Sequence, residues 1–142
     1  MKDPLIFTTQ KSISFLKDIV KYLPINIKEQ LPNEIGIITV SAQESLRLNR
    51  MFRSKRKPTN VLSFLYSREY GEIILCPEII RKEAKQQGNT QVFQMTWMCV
   101  HGMLHLAGLH HEKSDAVARK ITRIEDAILQ KIFNSMRGET KD

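Results

Sequence analysis

All four histidines of this 142-residue chain lie in the segment VHGMLHLAGLHHEKSD, which begins at residue 100. His101 and His105 are four residues apart, so on a helix they project from the same face about one turn from each other. Two imidazoles at this spacing can bind one metal ion, as in the zinc-binding HExxH helix. Gly108 favours a helix end and a turn, and His110 and His111 follow that turn. The pattern predicts three histidine ligands, the third being His110 or His111, and an open fourth position typical of catalytic zinc.

The alternative for this segment is a set of ordinary core histidines. The helix is apolar nearly all round from Trp97 to Ala107, which predicts that it is buried. A buried imidazole needs a partner, because an unsatisfied polar group costs roughly 1–3 kcal/mol. The histidine pair, the glycine turn and the further histidines after it together favour a metal site. Gly102 stands where a helical zinc peptidase has its glutamate base, so the pattern disfavours a peptidase and predicts close packing of Gly102 against the sheet.

A second candidate region is the basic stretch RLNRMFRSKRK at residues 47–57, in which no acidic residue interrupts six basic ones. Such clusters bind phosphate backbones, and arginine offers a planar fork for bidentate contact. The alternative is a solvated, mobile loop. The net charge of +7 and the predicted metal site favour an anionic substrate. Together the two regions predict hydrolysis of a phosphodiester bond.

Hydrophobic periodicity predicts the elements that position these residues. Pro58 keeps the basic stretch from continuing as a helix, and Ser41 and Thr90 are predicted N-caps. The predicted helices cover residues 9–23, 41–51, 77–87 and 90–108, with a last helix beginning at 114 or 115. The predicted strands cover residues 34–40, 61–66 and 71–76, the last two forming a hairpin. Residues 24–33 are predicted to be a connector.

These elements predict an α+β fold, with a small mixed sheet, helices packed on it and the zinc site at the end of a helix. The length predicts one domain over residues 1–142. The N-terminal residues lack the pattern of a signal peptide, and no segment approaches the ~18 apolar residues of a membrane span. Cys76 and Cys99 form no CxxC pair and suggest no disulfide framework. We therefore expect a cytoplasmic protein without a membrane partner.

The stretches LNRMFRSKRKPTNVLSF and HGMLHLAGLHH resemble the YbeY endoribonuclease family over residues 40–111. The resemblance implies a zinc-dependent, single-strand-specific endoribonuclease that acts in 16S ribosomal RNA 3′-end maturation and ribosome quality control. It implies one Zn²⁺ per chain and contact with the small ribosomal subunit, with a ribosomal protein or a GTPase as a further partner. Members of the family commonly have aspartate before the last ligand, where this chain has His110.

The resemblance also implies the site residues. The metal-binding histidines of the family fall on His101, His105 and His111, and an arginine important for RNA cleavage falls on Arg53. His110 and Glu112 then become candidates for proton transfer. Two rival functions remain at this point: a zinc hydrolase of peptides or small molecules, and a ribosome-associated RNA-binding module with a structural zinc and little catalysis.

Overall fold

The computed structural model describes residues 3–110 and 114–140, with side chains as far as residue 135. The strands are β1 (Leu5–Thr8), β2 (Glu34–Thr39), β3 (Val61–Leu65) and β4 (Tyr70–Leu75). A 3₁₀ helix covers Lys11–Tyr22, and the α-helices are α1 (Ile25–Lys28), α2 (Ala42–Arg53), α3 (Pro77–Gln87), α4 (Gln91–Leu106) and α5 (Asp115–Thr140). The predicted α+β class is confirmed.

The four strands form one mixed sheet in the order β1-β2-β4-β3. β1 and β4 run parallel to β2 on either side, and β3 pairs antiparallel with β4 as the predicted hairpin. The β-branched residues of β2 explain its central place, since Ile35 and Ile37 are fully buried. Alternation along β4 places Ile73 in the core and Glu72 on the opposite face.

Helix α4 is the core helix that carries the histidines. It packs on β3 and β4 and also against α3 and α5. These contacts on several sides explain why its residues are apolar nearly all round. The predicted cap is present, because the Thr90 hydroxyl accepts a hydrogen bond from the Phe93 amide at 3.0 Å. A Cβ on Gly102 would lie 2.9 Å from Cγ2 of Ile73. The predicted close packing of Gly102 against the sheet is therefore confirmed.

The structure departs from the predicted elements in several places. Strand β1 was not predicted, since only four residues form it and its pairing with β2 is a non-local contact that local sequence does not encode. Residues 24–33, predicted to be a connector, include α1. Helix α2 extends to Arg53 because its last turn closes at Ser54, which takes the left-handed conformation at φ 56° and donates its amide to the Asn49 carbonyl.

In the part of the chain that the structure describes, no helix is both long and apolar enough to cross a membrane. Cys76 and Cys99 are both buried and free, in agreement with the expectation that they form no disulfide framework.

Candidate active site

The histidine pair of α4 is arranged as its spacing predicts. The ring centroids of His101 and His105 are 4.5 Å apart, so one turn of helix brings the two imidazoles together on one face. Neither side chain is deeply buried, and that of His101 is 23% exposed. Two nitrogen donors at this separation on a rigid helix suit a shared cation such as Zn²⁺.

The chain turns back after α4 as predicted. Gly108 takes the left-handed conformation at φ 92°, and the Leu109 amide donates to the Leu104 carbonyl at 2.9 Å. This turn brings the ring of His110 to 5.2 Å from that of His105, at a nearly perpendicular angle. His111 lies outside the described residues. Among the residues that are described, no group of three or more His, Cys, Asp and Glu side chains is placed to hold a metal ion.

A buried carboxylate holds His101 from behind. Glu125 of α5 is 4% exposed, and its Oε1 lies 3.1 Å from Nδ1 of His101. Its Oε2 accepts a hydrogen bond of 2.7 Å from the indole N–H of Trp97. When Nδ1 of His101 donates to this carboxylate, its Nε2 keeps the lone pair that a metal ion requires. A carboxylate behind a histidine is the usual arrangement that orients a metal ligand. His101 and His105 therefore suit two ligand positions, with Glu125 orienting His101.

Arg53 and the histidine pair line the same cavity. This cleft has a volume of about 430 Å³, and its wall is formed by Phe52 and Arg53 at the end of α2, residues 59–64, and His101 and His105 of α4. The structure thus brings together three of the site residues predicted from sequence, across 48 positions from Arg53 to His101. A guanidinium in the same cleft as two imidazoles suits a phosphate bound by a metal ion and a positive charge.

Two buried polar side chains of α2 hold the basic loop, here residues 54–60, in place. The Ser45 hydroxyl donates to the Thr59 carbonyl at 2.7 Å and accepts from the Thr59 amide at 2.9 Å. The Asn49 amide group donates to the Lys57 carbonyl at 2.8 Å. The loop is therefore not free to move as a solvated chain would, and its basic side chains project from a fixed backbone.

The charges of the basic stretch divide into two groups. Arg47 pairs with Glu44 one turn earlier on α2, so its charge is partly offset. The other five basic residues are exposed to solvent: Arg50, Arg53, Lys55, Arg56 and Lys57. The surface beside the cleft is thus strongly positive, and of these five residues Arg53 lines the cleft itself.

Glu125 and Trp97 were not predicted as site residues. A signal for Glu125 was present in the sequence, because it lies four residues after Ile121 and three before Ile128, on the apolar face of α5. A carboxylate on such a face must find a hydrogen-bond partner in the core. Which partner it finds depends on how α5 docks on α4.

These observations define a class of protein, namely α+β domains with histidines and an arginine around one cleft. The family model described as endoribonuclease YbeY matches residues 3–133. An endoribonuclease YbeY from Thermotoga neapolitana is 35% identical over 128 residues, covering 86% of each chain. One from an Acidovorax species is 39% identical over 102 residues, covering 70% of this chain and 67% of its own. A solution structure from Thermotoga maritima matches with a TM-score of 0.64 at 26% identity, covering 97% of this chain and 95% of that one.

This chain belongs to the YbeY endoribonuclease family. The predicted class of enzyme, a nuclease that hydrolyses phosphodiester bonds, is confirmed.

Proposed function

We propose that this chain is a zinc-dependent endoribonuclease that cuts single-stranded RNA in the cleft between α2 and α4. The observation that carries the proposal is the shared cleft, which Arg53 lines together with the histidine pair. The proposed ligands of one Zn²⁺ are His101, His105 and His111. When bound, the ion supplies Lewis acidity and a lowered pKa for water in its open position.

Arg53 and Glu125 have different proposed roles in the reaction. Arg53 binds the scissile phosphate and offsets the negative charge that develops on it in the transition state. Glu125 fixes the ring of His101 through Nδ1, with its own position set by Trp97. The cleft orients the phosphate between these groups, which lowers the entropy lost on reaching the transition state.

His110 is proposed as the proton carrier for the leaving group. Its ring lies beside that of His105, at the mouth of the turn after α4, and imidazole transfers protons near neutral pH. The same position keeps His110 available as a ligand if His111 does not bind the metal, so variants at the two positions distinguish these roles.

The substrate is proposed to be the 3′ region of 16S ribosomal RNA, cut in the cytoplasm during maturation and ribosome quality control. An unpaired strand suits the cleft, because a flexible backbone can present one phosphate for in-line attack. The proposed partners are the small ribosomal subunit and a ribosomal protein or GTPase that presents the RNA.

The deciding experiment is cleavage of a defined single-stranded RNA by zinc-loaded protein, with the His105→Ala variant prepared in parallel. We expect cleavage by the wild type and none by the variant. Equal cleavage by both preparations would indicate a contaminating nuclease. Binding without cleavage would instead favour an RNA-binding module with a structural zinc.

A further inference from the structure

A continuous series of five aromatic rings crosses one face of the sheet, and we call it the aromatic track. It runs through Phe52, Phe64, Tyr66, Tyr70 and Phe7. Successive ring centroids are 5.0, 6.3, 5.8 and 6.1 Å apart. The track begins at the end of α2, passes over β3 and β4 and ends on β1.

The strand register places this track opposite the core. Phe7 pairs with Gly36, which pairs with Glu72, which pairs with Phe64, so these four residues form one row on one face. The neighbours Ile6 and Ile73 point the other way into the core. The rings themselves remain accessible, since Tyr66 is 61% and Phe7 39% exposed.

Gly36 lets the rings lie close to the sheet. A Cβ at this position would lie 2.8 Å from the Tyr70 hydroxyl oxygen and 3.3 Å from the ring of Phe7. The planes of Phe7 and Tyr70, and those of Tyr70 and Tyr66, differ by only 16°. Three rings thus form a nearly parallel set, and Gly36 of β2 places no side chain between those of Phe7 and Tyr70.

Glu72 fixes the two tyrosines of the set. The hydroxyl of Tyr66 donates to its Oε1 at 2.7 Å, and that of Tyr70 donates to its Oε2 at 2.9 Å. The hydrogen bond to Glu72 raises the pKa of Tyr66. Burial and the same carboxylate raise the pKa of Tyr70 to about 12. Both phenols therefore stay neutral donors near pH 7, and both oxygens of Glu72 are engaged.

The track is continuous with the cleft, because Phe52 and Phe64 line both. Arg53, which also lines the cleft, directly follows Phe52 in the sequence. Aromatic faces beside a positively charged groove are what proteins use to bind unpaired nucleic acid without reading its sequence. An apolar protein partner would use the rings but has no need of the adjoining basic cleft.

We propose that the aromatic track binds the bases of single-stranded RNA by stacking, as the strand extends from the cleft across the sheet toward β1. This inference rests on the proposed function, since the strand on the track is the one whose phosphate lies in the cleft. The track adds length-dependent affinity and a preference for unpaired bases. It adds no chemistry to the cleavage step.

The test compares two fluorescein-labelled DNA strands of about twelve nucleotides, one with all its bases and one with abasic sites in its central half. DNA bases offer aromatic faces for stacking, as RNA bases do. The two test strands carry the same number of phosphates, so they differ only in their bases. We expect wild-type protein to bind the base-bearing strand about tenfold more tightly in fluorescence anisotropy. Tyr66→Leu and Phe7→Leu should each reduce this preference several-fold, because leucine keeps apolar area but has no ring face.

Two variants serve as controls. Tyr66→Phe keeps the ring and should keep the preference. Phe15→Leu changes an exposed aromatic residue of the 3₁₀ helix, away from the track, and should also keep it. Equal affinity of the wild type for both strands, or an unchanged preference in Tyr66→Leu and Phe7→Leu, would overturn the proposal and leave the face to a protein partner.

The same variants separate this proposal from the proposed function. If wild-type protein cuts no RNA yet shows a base preference that Tyr66→Leu loses, the track stands and the proposed function fails. If it cuts RNA normally but binds both strands equally, only the track is refuted.

Discussion

The cleft has two walls that differ in how their side chains are held. The α4 wall carries His101 and His105, and the α2 wall consists of Phe52, Arg53 and the adjoining basic loop. On the α4 wall, His101 is fixed by the buried Glu125, which Trp97 fixes in turn. On the α2 wall, the backbone of the basic loop is anchored by Ser45 and Asn49, while its basic side chains extend into solvent. The first wall suits a site that tolerates little change in geometry, and the second suits attraction of a charged, flexible substrate.

This contrast predicts the largest effect for the α4 wall. His105→Ala removes one of two imidazoles whose rings are 4.5 Å apart, so the chain should lose its zinc and about a thousandfold or more of its RNA cleavage. Metal content by mass spectrometry and cleavage of a defined RNA measure the two losses.

Variants at the next two histidines refine this prediction. If His111 is the third ligand, His111→Ala loses zinc and His110→Ala keeps it. The reverse result would make His110 the ligand. Unchanged zinc content in His105→Ala would contradict the metal site as a whole.

The second prediction concerns Arg53, the basic residue of the α2 wall that lines the cleft. Arg53→Ala should lower kcat for RNA cleavage by about a hundredfold, because the charge that stabilises the transition state is lost. Zinc content should not change, since the proposed role of Arg53 is to bind the substrate and not the metal. Arg47→Ala is the matched control, because Arg47 already pairs with Glu44 on the same helix. Full activity of Arg53→Ala would remove Arg53 from the mechanism.

The two walls also differ in how much of each could be predicted from the sequence. The α4 wall is local: the spacing of His101 and His105 and the turn at Gly108 follow from helix geometry, and the structure shows both. The meeting of Arg53 with these histidines depends on the packing of α2 and β3 around α4. No periodicity encodes that packing, and only the family resemblance pointed to Arg53.

Residues outside the motifs were harder to predict for the same physical reason. The role of Glu125 is evident only from its contact with His101, which lies on another helix and 24 positions away in the sequence. Strand β1 exists because β2 offers an edge with which it pairs. Both depend on tertiary contacts that a local pattern does not contain.

The third prediction separates position from charge on the α4 wall. Glu125→Gln keeps the size of the side chain but weakens its hold on Nδ1 of His101, so zinc affinity should fall about 10- to 100-fold. Competition with a chelator of known affinity measures this without reference to activity. Asp126→Asn is the control, because Asp126 is exposed on the same helix. Equal zinc affinity of the wild type and Glu125→Gln would show that Glu125 has only a structural role.

The smallest effect is expected where the α2 wall is most exposed. Arg56 extends from the basic loop and does not line the cleft, so Arg56→Ala should weaken RNA binding only a few-fold and equally for different sequences. The dependence of log Kd on log salt should become shallower by about one unit, because one fewer counterion is released. Lys17→Ala, at an exposed position of the 3₁₀ helix, should change neither quantity. If Arg56→Ala instead reduced cleavage as much as Arg53→Ala at saturating RNA, the exposed loop would take part in the chemistry. The contrast between the two walls would then be wrong.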